Sequence, residues 1–272
     1  MSHQAIRSVK LRKVRRRVFF FKILLFILFL VGLLALLVYG FNTNSFKIQQ
    51  IIVEGGQPFV NQEIKESTEK ILTDSYFGLI SKQNILLYPK WEIKKSVLSK
   101  YPRIQEISFE LDIFHDQILK IFITERQEYG VWCREQDCSF IDKDGYVFAP
   151  APTYSEGIVF TYSGNIEGDP VGKQYLESEL FKKINAFIRA IEANPKMIDL
   201  KPIALQYVDL NEYRLVLAGG GYVIFNEKNG LQNVYENLSL TIEQGDVDIG
   251  NLEYIDTRIS NKVFYKHRLG DV

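Results

Sequence analysis

The chain has 272 residues, 46% of them hydrophobic, with 19 Phe and 15 Tyr, which allows one to three domains with substantial cores and suits a strand-rich protein. Its formal charge is zero, but residues 1–41 carry eight Lys or Arg and no Asp or Glu, leaving the remainder with 25 basic and 33 acidic residues, a net of −8. An acidic body argues against a nucleic-acid partner, because phosphate binding needs a basic face. The basic tail alone would also suit a DNA-binding arm, but the segment beside it gives the charges another use.

From Ile23 to Phe41 there are nineteen residues without a charge, fifteen of them Leu, Ile, Phe or Val. As a helix this run rises about 28 Å, close to the ~30 Å hydrocarbon core of a bilayer. Lys22 sits at its edge, where its stem can snorkel to the headgroups. Arg7, Lys10, Arg12, Lys13, Arg15, Arg16 and Arg17 precede the run, and Asn42-Thr43-Asn44-Ser45 follows it. The positive-inside rule therefore places residues 1–17 in the cytoplasm, with a transmembrane signal-anchor over 18–41. A cleavable signal peptide would have a shorter apolar region and a small-x-small site, whereas this run ends Tyr39-Gly40-Phe41-Asn42. The lipid bilayer is thus the first expected partner, crossed once.

Past the span, Phe46 to Val53 reads as a strand closed by Gly55-Gly56. Asn61 is placed to cap a helix reaching about Leu72, with Ile64, Ile71 and Leu72 on its stripe. Lys90 to Lys100 reads as a second helix between Pro89 and Pro102, with Trp91, Val97 and Leu98 facing a core. Ile107, Phe109, Leu111 and Ile113 alternate with polar residues as a half-buried strand, His115-Asp116 turns, and Ile118 to Glu125 returns. The order β-α-α-β-β implies a small α+β domain over residues 46–126.

A larger mixed β domain with amphipathic helices is expected over 127–266, followed by a short tail, 267–272. Strands are read at Gly130 to Cys133, Ser139 to Ile141, Tyr146 to Phe148 and Ile158 to Tyr162, with Asp144-Gly145 as a hairpin turn. An amphipathic helix is predicted from Lys173 to Ala193, where Leu176, Leu180, Ile184, Phe187, Ile188 and Ile191 share a face and Asn194-Pro195 stops it. Strands follow at Ile203 to Leu210, Tyr213 to Ala218 and Tyr222 to Asn226. A helix over Gly230 to Glu243 presents Leu231, Val234, Tyr235, Leu238 and Ile242, and strands at Leu252 to Thr257 and Lys262 to Lys266 close the chain.

No catalytic, cofactor-binding or metal pattern stands out, so no enzyme activity and no cofactor are expected. His3, His115 and His267 do not form a His-Glu-x-x-His spacing, and there is no Gly-x-Ser-x-Gly elbow. Gly219-Gly220-Gly221 lies between strand signals and lacks a Lys-Ser/Thr, so it reads as a turn. Asp142, Asp144 and Asp256 read as exposed turn aspartates. Cys133 and Cys138 flank a four-residue polar loop; a disulfide, two free thiols and a metal site all remain open, a bridge requiring only modest adjustment of a hairpin pair. The last strand stands near the C-terminal end of the sequence, where a sheet edge would offer unpaired backbone groups to a partner strand or simply close its own sheet.

Three stretches in chain order resemble the FtsQ/DivIB family of bacterial cell-division proteins. Phe46 to Gly56 after a lone signal-anchor is similar to the opening strand of a POTRA domain. Glu125-Arg126-Gln127-Glu128-Tyr129-Gly130-Val131-Trp132, with Ile141-Asp142-Lys143-Asp144-Gly145-Tyr146-Val147-Phe148, is similar to the family's Glu-Arg-x-Pro-x-Ala-x-Trp and Ile-Asp-x-x-Gly-x-Val-Phe. Tyr254-Ile255-Asp256-Thr257-Arg258 is similar to its late Asp-Leu-Arg strand. Glu128 stands at the family's usual proline, Gly130 at its alanine, and Gly55-Gly56 where Gly-Asn is more usual.

The resemblance implies a bitopic division protein of the cytoplasmic (inner) membrane at the septum. Its POTRA-like domain would help localise it among other division proteins, and its β domain would bind an FtsB/FtsL-like pair by strand addition. By matching position, the partner-binding residues implied are Arg258, pairing a partner carboxylate, with Ile259, Lys262, Val263, Phe264 and Tyr265. Rival readings are a cell-wall enzyme, which needs convergent acid, base or metal groups, an extracytoplasmic sensor, which needs a ligand pocket, and a membrane-anchored POTRA-type module of an export or envelope-assembly system.

Overall fold

The computed structural model describes residues 3–113, 116–155, 157–209, 212–245 and 247–268, and the side chains from residue 14 onward. His115, assigned above to a turn, lies outside the described residues. The architecture is α+β, with an N-terminal apolar helix and two compact units: residues 1–97 with 106–124, and 98–105 with 125–272.

Helix α1 runs unbroken over His3–Phe41, starting well before the expected anchor. Its segment Val14–Phe41 is long and apolar enough to cross a membrane, and none of it is buried in the protein. Its uncharged run is exposed on every side, a surface that water does not explain, and the backbone groups within it are paired along the helix, as a bilayer demands.

Strand β1 (Gln50–Glu54) begins four residues later than its apolar pattern suggests. Asn44–Phe46 forms a 3₁₀ turn, and the Ile48 N–H is taken by the Gln83 carbonyl at 2.9 Å rather than by a sheet neighbour. Helix α2 (Pro58–Leu72) starts at Pro58, whose ring presets the first helical φ, so Asn61 lies inside the first turn instead of capping it. The Asn61 side chain donates back to the Gly56 carbonyl at 3.2 Å. Ile64, Thr68 and Leu72 are buried.

A hairpin absent from the sequence reading follows, β2 (Ser75–Tyr76) paired antiparallel with β3 (Ile80–Ser81). Helix α3 (Lys90–Lys100) buries Ile93 and Val97, whereas Trp91, expected inside, is exposed, because Ile93 and Val97 sit four apart and set the inward stripe. Strands β4 (Ile104–Asp112) and β5 (Ile118–Glu125) complete a three-stranded sheet of order β1-β5-β4, β1 running parallel to β5. Gly55 (φ +96°) leaves β1 so close to β5 that a Cβ there would stand 2.3 Å from the Ile123 carbonyl oxygen.

The second unit is built on a ten-stranded mixed sheet. Its strands are β6 (Gly130–Arg134), β7 (Asp137–Ile141), β8 (Tyr146–Ala151), β9 (Thr161–Ser163), β10 (Lys173–Gln174), β11 (Pro202–Asp209), β12 (Glu212–Leu217), β13 (Tyr222–Phe225), β14 (Leu252–Ile259) and β15 (Lys262–His267). Their order is β10-β8-β7-β6-β9-β11-β12-β13-β14-β15.

Helix α4 (Ser178–Ala193) is shorter than predicted. Lys173 and Gln174 pair with Val147 and Tyr146 as a strand, and the Glu177 carboxylate accepts the Leu180 N–H at 3.0 Å, fixing the helix start. Helix α5 spans Leu231–Glu243. Phe181, Ile184 and Ile188 of α4, with Val234 and Leu238 of α5, join Trp132, Leu205, Phe225 and Ile255 of the sheet in one buried cluster. Tyr162 is buried with them, its hydroxyl donating to Asn185 Oδ1 at 2.6 Å.

Gly130 follows from this packing. A Cβ there would stand 2.9 Å from the Phe160 carbonyl and 3.0 Å from the Tyr162 ring, and that ring is packed against Phe181 at 5.1 Å. Gly130→Ala, which introduces the alanine usual in the family that the sequence resembles, is expected to cost about 1–3 kcal/mol by overpacking, read as a lowered urea midpoint with unchanged slope.

Candidate functional site

Strand β15 ends the large sheet. It pairs on one side with β14, in the register Ile255↔Tyr265, Asp256↔Phe264 and Ile259↔Lys262, with a bulge between Asp256 and Ile259. Among the described residues no strand pairs with its other side. The opposite end of the sheet is β10, only two residues long, so the extended free backbone edge is at β15.

The side chains along this edge divide by strand alternation. Val263 is half-buried against the core cluster, and with Tyr265 it lines a shallow hollow beside Leu240, Thr241 and Gln244 of α5. Phe264 projects to the other face. Phe264 is 50% and Tyr265 41% exposed, and Ile259 and Lys262 are exposed at the β14–β15 turn. Tyr265 packs its ring edge against His267 at 5.4 Å between centroids.

Arg258 lies in the bulge and is engaged by acids of its own chain. Its Nε donates to Asp256 Oδ1 at 3.0 Å and its Nη2 to Asp256 Oδ2 at 2.7 Å, while Nη1 donates to Glu212. The Asp256 carboxylate also accepts the Arg258 backbone N–H at 3.0 Å. Burial pulls the Asp256 carboxyl upward, but the hydrogen bonds and charge of Arg258 outweigh it and hold the group below the usual carboxylate range. The guanidinium is correspondingly raised, chiefly by its hydrogen bonds to Asp256.

The other aspartates are not the free turn residues expected. Asp142 is 2% exposed: Arg126 Nη1 donates to it at 2.5 Å, and the backbone N–H groups of Asp144 and Tyr146 donate at 2.9 and 3.0 Å. Arg126 also stacks on the Tyr146 ring, 4.0 Å from its centroid, and its Nε donates to the Pro102 carbonyl at 3.0 Å. Asp144 takes Lys182 Nζ at 3.0 Å, which lowers its pKa. The Glu-Arg and Ile-Asp-x-x-Gly stretches are therefore halves of one buried ion pair. The signal was present in a basic and an acidic residue both flanked by strand patterns, which a turn reading overlooks.

Cys133 and Cys138 face each other across β6 and β7, with Cα atoms 4.2 Å apart and their sulfurs bridged. Gly219-Gly220-Gly221 turns between β12 and β13, Gly220 and Gly221 both at positive φ. Ile23 and Phe41 lie on α1, Phe41 as its last residue. Among the described residues no three His, Cys, Asp or Glu side chains converge. An apolar hollow between α4 and α5 is lined by Leu180, Phe187, Leu231 and Tyr235, with Lys183 and Glu227 beside them.

Fold and edge together define a class: a protein with one exposed apolar helix and two α+β units, the second ending on an open strand. Among relatives, the chain is 26% identical over 230 residues to the cell division protein FtsQ of Bartonella bacilliformis, a match covering 82% of this chain and 63% of the relative. The chain thus spans less than two thirds of the length of the relative it matches. No family model matches. The similarity to FtsQ supports the FtsQ/DivIB resemblance carried by the sequence motifs.

Two tests address the ion pairs. Arg126→Ala leaves Asp142 buried without its counter-charge and is expected to cost about 3–5 kcal/mol in a denaturant titration. Because the native pKa of Asp256 is depressed, its pairing contributes stability above the unfolded value of about 3.9, and that contribution is lost as pH falls through the native value. Asp256→Asn is expected to be less stable than the parent at neutral pH and to show a shallower loss of stability below about pH 4.

Proposed function

We propose that this chain is a bitopic cell-division scaffold of the FtsQ/DivIB family. Helix α1 anchors it in the cytoplasmic membrane at the septum, with the basic tail in the cytoplasm and both α+β units outside. The first unit helps localise it among early and late division proteins. The second binds an FtsB/FtsL-like pair of bitopic partners, and the complex regulates septal peptidoglycan synthesis. Its role is assembly rather than catalysis.

The observation that carries this reading is the open ladder of β15. An edge strand of six residues presents unpaired N–H and C=O groups, and an incoming extended segment can continue the sheet through them. Specificity then comes from the side chains on either face. Phe264 offers an apolar contact on one side, and Tyr265 with the α5 hollow receives alternate residues on the other. Arg258 acts from the bulge, its fork on Asp256 and Glu212 holding the β14–β15 turn in shape, with the exposed part of its guanidinium available to a partner carboxylate.

Charge on the edge tests it. Phe264→Glu with Tyr265→Glu is expected to abolish co-purification of the FtsB/FtsL-like pair from membranes, while circular dichroism and the melting curve stay near those of the parent. Undiminished co-purification, or cells that divide normally once the protein is depleted, would contradict the assignment.

A further inference from the structure

The β2–β3 hairpin carries features that the folded unit does not account for. Its turn residue Phe77 is 98% exposed and Leu79 61% exposed. Phe77 also holds a positive φ of 52°, a region that bulky side chains rarely adopt. Leu86, five residues past the hairpin, is exposed as well. A water-facing turn would favour Asn, Asp or Gly at that φ. The hairpin instead carries a phenylalanine there, with Leu79 two residues on.

Its location supplies the reason. Asn42, the first residue after the apolar helix, donates from Nδ2 to the Leu79 carbonyl at 2.7 Å and accepts the Ser81 N–H on Oδ1 at 3.0 Å. The same Nδ2 group donates to the Val38 carbonyl of α1 at 2.9 Å. Asn84, fully buried, donates to the Phe41 carbonyl at 2.7 Å and accepts the Leu86 N–H at 2.9 Å. Two asparagines thus fasten the end of α1 to the hairpin and the loop behind it. With Lys22 at one edge of the uncharged run, Phe41 falls at the opposite edge of the hydrocarbon layer. Leu79, one side chain away from Asn42, is then held at the membrane surface. Lys82, flanking the hairpin, pairs with both Asp74 and Glu92 at 3.0 Å, so the charges beside the tip are engaged with one another.

We propose that the Phe77-Gly78-Leu79 tip is a second, shallow membrane anchor that inserts into the interfacial layer of the leaflet where α1 emerges. The occupant of this apolar surface is lipid, because the surface is continuous with a helix end that lipid already surrounds. The tip reaches the boundary between headgroups and acyl chains, the depth of about 5–10 Å at which interfacial apolar groups settle. The consequence is orientation: a helix alone lets the first unit swivel, whereas helix, asparagine clamp and tip fix its tilt on the bilayer. The inference rests on α1 crossing the membrane.

The test uses the full chain in nanodiscs with lipids brominated at shallow or, in a parallel set, at deep acyl positions. Trp91 is replaced by Phe to remove an exposed emitter, and Trp132, which is buried, remains as a constant background. Phe77→Trp and, separately, Leu79→Trp are compared with Leu30→Trp, whose reporter lies within α1. Shallow bromine is expected to remove most of the added emission at 77 and 79, with a blue-shifted maximum and protection from aqueous acrylamide. If Leu30→Trp is quenched by deep bromine while both tip reporters keep their emission, in water or under another protein chain, the anchor is refuted and the span stands. If Leu30→Trp is not quenched at any depth, the crossing helix itself fails and the anchor falls with it.

Discussion

Every backbone N–H and C=O taken from water needs a partner, and this chain meets that requirement differently at its two ends. In α1 the groups within the helix are paired with one another, which suits its uncharged run from Ile23 to Phe41 to a bilayer. In the large sheet the pairing runs from strand to strand until β15, where the groups on one side have no strand opposite them among the described residues. The first suits a bilayer, and the second leaves the ladder that the proposed partner segment would continue.

Between these ends, polar side chains fix the places where the backbone changes course. Asn42 and Asn84 satisfy carbonyl groups at the end of α1 and join it directly to the first unit, so that no loose linker intervenes. Arg126 and Asp142 tie the entrance of the second unit to its first hairpin, and the aspartate's other contacts shape the turn around Gly145. Arg258, Asp256 and Glu212 do the same at the bulge before the open strand. In each case a charge or amide is buried or half-buried with its bonds made, which is the condition under which such groups specify a conformation instead of destabilising it.

The elements that were legible in the sequence are those with strong periodicity. The apolar run of α1, the alternation through Ile107 and Phe109, and the stripes of α4 and α5 could be read because burial dictates their spacing. The illegible parts follow from pairing across distance. Lys173 and Gln174 continue a helical pattern but are claimed by β8, and Phe46 to Ile48 look like strand but bond to the loop at Gln83 and Asn84. The two-residue strands β2 and β3 are too short to show any period, which hid the tip at Phe77. At the candidate site the strand itself could be read, while its aromatics were implied only by the family resemblance; the internal engagement of Arg258 could not be read, since Glu212 is 46 residues away and meets it only through the fold.

Hydrogen–deuterium exchange of the β15 amides is the decisive measurement, made on this chain in membranes with and without the proposed FtsB/FtsL-like pair. The outward-facing amides of residues 262–267 are expected to exchange rapidly in the free protein and to become protected when the pair is bound, while those bonded to β14 stay slow throughout. Amides that are already protected on both flanks of β15 in the free protein, or that exchange equally fast in the complex, would contradict it.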